Sequence, residues 1–98
     1  MHARVTMIAG SADQAEQGIA NFRDNVVPAI KEMGGHGGVL LIDRESGKAM
    51  AITLWEDEAS MRASEESANE LRRTASEEMG AAQQPSVERY EVAVFEKS

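Results

Sequence analysis

Residues 38–55 constrain this chain more than any other stretch. They read Gly-Val-Leu-Leu-Ile-Asp-Arg-Glu-Ser-Gly-Lys-Ala-Met-Ala-Ile-Thr-Leu-Trp. Two apolar runs flank Glu45-Ser46-Gly47-Lys48, a turn with glycine where positive φ is wanted, so the stretch reads as a β-hairpin with strands at 38–44 and 49–55. Successive side chains of a strand point to opposite faces. On the later strand one face carries Met50, Ile52 and Leu54 and the other Ala51, Thr53 and Trp55. On the earlier strand Leu40 and Ile42 oppose Val39, Leu41 and Asp43. Neither face is polar enough to stand in water, so both need cover.

The rest of the chain supplies that cover only in part. Residues 3–9 read as a strand in which Val5 and Met7 alternate with Thr6 and Ile8. Gly10 breaks it, and Ser11-x-x-Gln14 is a capping-box pattern opening a helix. Ile19, Phe22, Val26, Ile30 and Met33 then recur at spacings of three and four, one apolar stripe at helical period. Pro28 lies inside that stripe, lacks an N–H and crowds the carbonyl of Asp24, which predicts a kink or break. Gly34-Gly35 ends the helix. After Trp55, Glu56 or Asp57 starts a second helix whose stripe is Met61, Ser64, Ala68, Leu71, Ala75 and Met79. A loop at 80–85 and a fourth strand at 86–95 follow. The order β-α-β-β-α-β predicts an α+β, ferredoxin-like fold, with a four-stranded antiparallel sheet and two helices on one face. Two helices cover one face of that sheet. A second copy of the chain is the simplest cover for the other, which predicts a homodimer; a monomer with an open apolar groove is the alternative.

Composition removes several classes of function. The chain has no cysteine, hence no disulfide and no thiolate nucleophile or metal ligand. Its 10 basic residues against 17 acidic ones give a net charge of −7, the wrong sign for gripping phosphates, so no nucleic-acid partner is expected. Eight acids fall between Glu56 and Glu78 and read as a solvated helix face. No apolar run nears the roughly 20 residues of a membrane span, and the N-terminus has no signal-peptide core, so a cytoplasmic protein off the membrane is expected. His2 and His36 are the only histidines and form no ligand pair at helical or hairpin spacing, so no metal is expected.

The run GGVLLIDRESGKAMAITLWEDEASMRASEE, with the C-terminal VERYEVAVFE, resembles the dimeric α/β-barrel superfamily. Within it the chain is similar to the antibiotic-biosynthesis-monooxygenase-like family, and the similarity covers nearly all of 1–98. Its most specific piece is a tryptophan closing the third strand before acids and a helix, here Trp55-Glu56-Asp57-Glu58. The resemblance implies one dimeric α/β-barrel domain over 1–98, with a ligand cavity enclosed by each protomer's sheet and helices. It also implies a cofactor-independent monooxygenase acting on an aromatic or polyketide-like substrate. The alternative is a non-catalytic metabolite-binding or stress-related protein of the same fold. Where characterised members carry polar residues on the third strand and following helix, this chain has Ala51 and Met61. The histidine that heme-degrading relatives use to hold iron has no counterpart in Asn69-Glu70-Leu71-Arg72-Arg73. No cofactor is expected.

Three residues are candidates for the site. Trp55, the sole tryptophan, either seals the barrel end or offers an indole wall to a small hydrophobic or aromatic ligand. Thr53, on its face of the strand, is the candidate hydrogen-bonding group for that ligand. His36, between glycines in Gly34-Gly35-His36-Gly37-Gly38, is either a surface loop residue or a catalytic base. Asp43 and Glu91 read either as buried bases or as carboxylates exposed at strand ends or paired with Arg44 or Arg89, and Tyr90 either as a residue packed in the core or as a polar group.

Overall fold

The computed structural model describes residues 1–65, 69–70, 73 and 86–96. Strand β1 (His2–Ala9) lies inside the sheet, β2 (Gly37–Ile42) at one edge, β3 (Lys48–Trp55) between them and β4 (Ser86–Glu91) at the other edge. All three pairings are antiparallel. The result is the expected α+β, ferredoxin-like sheet, of order β2-β3-β1-β4.

The hairpin turns as the residues dictate. The Asp43 carboxylate accepts the Glu45 N–H at 3.0 Å, and Gly47 N–H donates to the Asp43 carbonyl at 2.8 Å. Gly47 has φ of 80°, and a Cβ there would lie 2.4 Å from the Ser11 carbonyl carbon. Glycine is therefore required both by the turn and by its packing on the start of the first helix. β4 stops at Glu91 rather than at residue 95, because His2 pairs with Glu91 and β1 offers almost nothing beyond. Only Val92 N–H finds a last acceptor, the Met1 carbonyl at 2.9 Å.

The first helical body begins with a 3₁₀ turn (Ala12–Gln14) and continues through α1 (Ala15–Asn21), a π-helical turn (Phe22–Val26) and α2 (Val27–Glu32). The Ser11 side chain makes no capping bond; the turn closes by backbone, Gln14 N–H to the Ser11 carbonyl at 3.1 Å. At Pro28 the helix neither breaks nor stays regular. Val27 N–H reaches back five residues to the Phe22 carbonyl, and the widened turn carries the chain past the proline in helical conformation. α3 (Glu58–Ala63) opens with Asp57 as its cap, the carboxylate accepting Ser60 N–H at 2.8 Å. The rest of the expected second stripe, Ala68, Leu71, Ala75 and Met79, and the loop at 80–85 lie outside the described residues.

Register sorts the two faces. Arg4, Thr6 and Ile8 of β1 stand opposite Thr53, Ala51 and Ala49 of β3, all towards the helices. Phe22, Val26, Ile30, Trp55 and Met61 form the main core there, with Val27, Met33, Leu40 and Ala51 packed around it. The opposite face pairs Val5 with Ile52, Met7 with Met50, Val39 with Ile52 and Leu41 with Met50, and no described helix packs on it. Val39 and Leu41 are consequently exposed. Tyr90, expected in the core, is half exposed on this open face: it pairs with Ala3, one residue out of phase with Arg4, and its hydroxyl donates to Glu88.

Candidate functional site

Polar side chains are seldom buried without a partner or a purpose. Among the described residues five of them, Arg4, Thr6, Asn21, Thr53 and Ser64, are buried. Arg4, Thr6 and Thr53 come from neighbouring positions on the helix-facing side of β1 and β3, Asn21 from the end of α1, and Ser64 from the residue after α3. Arg4, Thr53 and Ser64 gather at the sheet end that Trp55 closes, Thr6 lies two residues further along β1, and Asn21 accepts from Asn25 on the helix.

Trp55 is completely enclosed, at 0% exposure. Its ring packs with Phe22, Val26, Ile30 and Met61, and its Nε1–H donates to Thr53 Oγ1 at 3.0 Å. The structure thus brings the two expected residues together, each fixing the other. His36 stays outside this buried set. It is exposed, and its backbone N–H donates to the Leu54 carbonyl at 2.8 Å, which holds it beside the end of β3. Asp43 sits in the hairpin turn and Glu91 at an exposed strand end. Arg44 pairs with Glu16, and Arg89 with Glu65, not with those carboxylates. His2 Nε2 lies 3.8 Å from Glu58 Oε2, and no three potential metal ligands gather among the described residues.

Arg4 is the residue that motif reading passed over. Its guanidinium, 2% exposed, stands 5.3 Å from the centre of the Trp55 ring, a cation–π contact of about 2 kcal/mol when so desolvated. Nη2 donates to the Met61 carbonyl at 2.6 Å and to Ser64 Oγ at 3.2 Å. It also lies 3.4 Å from Glu65 Oε1. Nε and Nη1 are buried with no hydrogen-bond partner among the described residues. Burial lowers the Arg4 pKa, Glu65 raises it again, and neighbouring Arg89 lowers it further. Glu65 in turn is held below the ordinary carboxylate range, first by the hydrogen bond from Arg89 Nε at 2.6 Å and then by the charge of Arg4. A signal for Arg4 does exist in the sequence. In Ala-Arg-Val-Thr-Met-Ile-Ala it shares strand parity with Thr6 and Ile8, which places a cation on an inward face.

No family model matches the sequence. The uncharacterised protein Rv2557 of Mycobacterium tuberculosis is 38% identical over 98 residues, 99% of this chain, and the chain spans 43% of that protein's length. Among solved structures, a monooxygenase from the gene ActVA-Orf6 of Streptomyces coelicolor, in complex with nanaomycin D, superimposes with a TM-score of 0.74 at 16% identity. That match covers 98% of this chain and 92% of the other. A dimeric ferredoxin-like protein from an uncultured marine organism matches with a TM-score of 0.69 at 10% identity, over 99% and 92% of the two chains. Over nearly its whole length this chain therefore has the fold of, and resembles, the antibiotic-biosynthesis-monooxygenase-like proteins.

Proposed function

We propose that residues 1–98 work as one dimeric α/β-barrel domain in the cytoplasm. In this reading the domain holds a small hydrophobic or aromatic molecule between sheet and helices, and acts there as a cofactor-independent monooxygenase on an aromatic or polyketide-like substrate. The observation that carries this reading is the buried polar set of Arg4, Thr53 and Ser64 beside Trp55, with Thr6 next along β1, polar groups that packing alone does not call for. The nanaomycin D complex of the ActVA-Orf6 monooxygenase supports the ligand class.

In cofactor-free oxygenation the substrate supplies the electrons. One atom of O₂ enters a substrate carbon as a carbonyl, the other leaves as water, and a methylene's two hydrogens account for the water. The protein need only exclude solvent, orient the ring and hold or remove a proton. In this assignment Trp55 is the enclosed wall behind the site, Thr53 the hydrogen-bonding group, and His36, held at the end of β3 outside the buried set, the base. Non-catalytic binding is the second reading, favoured by Ala51 and Met61, which present no hydrogen-bond donor from their side chains. Oxygen uptake by the purified protein with polycyclic phenols under air separates the two. Catalysis requires uptake matched by substrate loss, whereas saturable binding with the phenol recovered intact supports the second reading. The homodimer rests on the uncovered Val39, Leu41 and Tyr90 face, and the net charge of −7 argues against a nucleic-acid partner.

A further inference from the structure

Three charges meet at the rim of the buried set, and they do not balance. Arg4 and Arg89 are cross-strand neighbours in register, and both lean on the single Glu65 carboxylate, the same Oε1 at 3.4 and 2.6 Å. Among the described residues, two cations against one anion leave one positive charge over, and its buried member has Nε and Nη1 without acceptors. A guanidinium offers five N–H groups and keeps its charge under all cellular conditions. Leaving several of them unpaired in a dry interior is costly unless an acceptor arrives. A fold that needed only an inert wall would place an apolar residue opposite Thr53. The Met61 carbonyl does not need Arg4 either, since Ser64 Oγ already donates to it at 2.7 Å.

We infer that Arg4 is the anchor for an anionic oxygen, a carboxylate, phenolate or enolate, on a planar ligand that reaches it from the Glu65–Arg89 rim, the Trp55 ring behind Arg4 being fully enclosed. Without ligand Glu65 stands in for that anion, loosely at Arg4 and firmly at Arg89. Both Glu65 and Arg89 are partly exposed, so the anion enters along their side, takes the unpaired N–H groups of Arg4 and leaves Glu65 to Arg89. Thr6 and Thr53, flanking Arg4 on the same face, supply hydroxyls to the remaining lone pairs. This inference rests on the small-molecule reading above and adds the charge of the ligand to it.

The test is a matched pair of probes, 2-naphthoate and 2-naphthamide, which share shape and differ in charge. Binding to the full chain is measured by calorimetry. Wild type should prefer the naphthoate by about tenfold, as expected for a charge-assisted bond. Arg4→Met should bring the two probes to equal affinity while naphthamide binding persists, and Arg4→Lys, keeping the cation without its fork, should retain part of the preference. Glu65→Gln should raise naphthoate affinity, an outcome that a purely structural Arg4 would not produce. Equal affinities in wild type would overturn the anion site and leave the small-molecule reading standing. Binding of neither probe would contradict that reading and remove the anion site with it.

Discussion

A guanidinium enclosed between a sheet and a helix has to be held by something, and Arg4 is held by one carbonyl, one hydroxyl, one shared carboxylate and the face of an indole. The indole depends on a single acceptor in the same way. Thr53→Val removes the hydrogen-bond acceptor of Trp55 Nε1, and should cost about 1–3 kcal/mol in urea denaturation, the penalty for an orphaned buried donor. An unchanged midpoint would mean that the indole N–H finds another partner. Glu65 makes the pairing sensitive to acid. Its folded pKa is depressed, so its contribution is complete above the unfolded carboxylate value of about 4.3 and is lost as pH falls through the folded value. Glu65→Gln should therefore melt below wild type at neutral pH, with the gap closing on acidification below about pH 4. A constant gap would contradict the pairing. Trp55 and Thr53 were legible in the sequence because a lone tryptophan at a strand end has few fates. Arg4 was only half legible: its parity with Thr6 and Ile8 marks the face, but an arginine in a short strand ordinarily reaches solvent, and the register with Thr53 and the roof of α3 show that this one does not.

Among the elements, the hairpin follows its residues most closely. Gly47 alone satisfies its turn, and Gly47→Ala should cost about 2 kcal/mol or more, since the new methyl meets both a positive φ and the backbone of Ser11 and Ala12. Thermal denaturation measures it, and a loss under about 0.5 kcal/mol, within the range of a neutral surface change, would show that the first helix can move away from the turn. The helix stripe at Phe22, Val26 and Ile30 was equally legible, because spacings of three and four survive the widening of one turn. What Pro28 does was not. A proline inside a stripe announces a missing bond, but packing on the sheet decides between a break and a π turn, and here burial of Phe22 and Val26 on both sides of the widened turn kept the helix whole. The capping box failed for a comparable reason: the chain enters through a 3₁₀ turn, whose backbone bond already satisfies the position that Ser11 would have capped.

At the scale of the molecule the sheet has two unlike faces. One carries the buried polar set and both described helical segments. The other, on which no described helix packs, carries Val5, Met7, Val39, Leu41, Met50, Ile52 and Leu54, with Glu88 and Tyr90 at its β4 edge, and was legible in advance because no strand alternated cleanly. A second copy seated there predicts a light-scattering mass of about twice 10.6 kDa, and Leu41→Glu, placing a charge at a half-exposed position of that face, should shift the mass towards one chain. A wild-type protein that stays monomeric at high concentration would leave the apolar face for another partner. On the proposed reading the opposite face, at the Arg4–Glu65 rim next to Trp55, receives a planar small molecule. Since Trp55 is the sole tryptophan, its emission reports on that place alone. Titration with a panel of planar aromatic compounds should quench it saturably, at midpoints on the order of micromolar to millimolar, in wild type and more weakly in Arg4→Met. Emission left unmoved by every member of the panel would contradict the account.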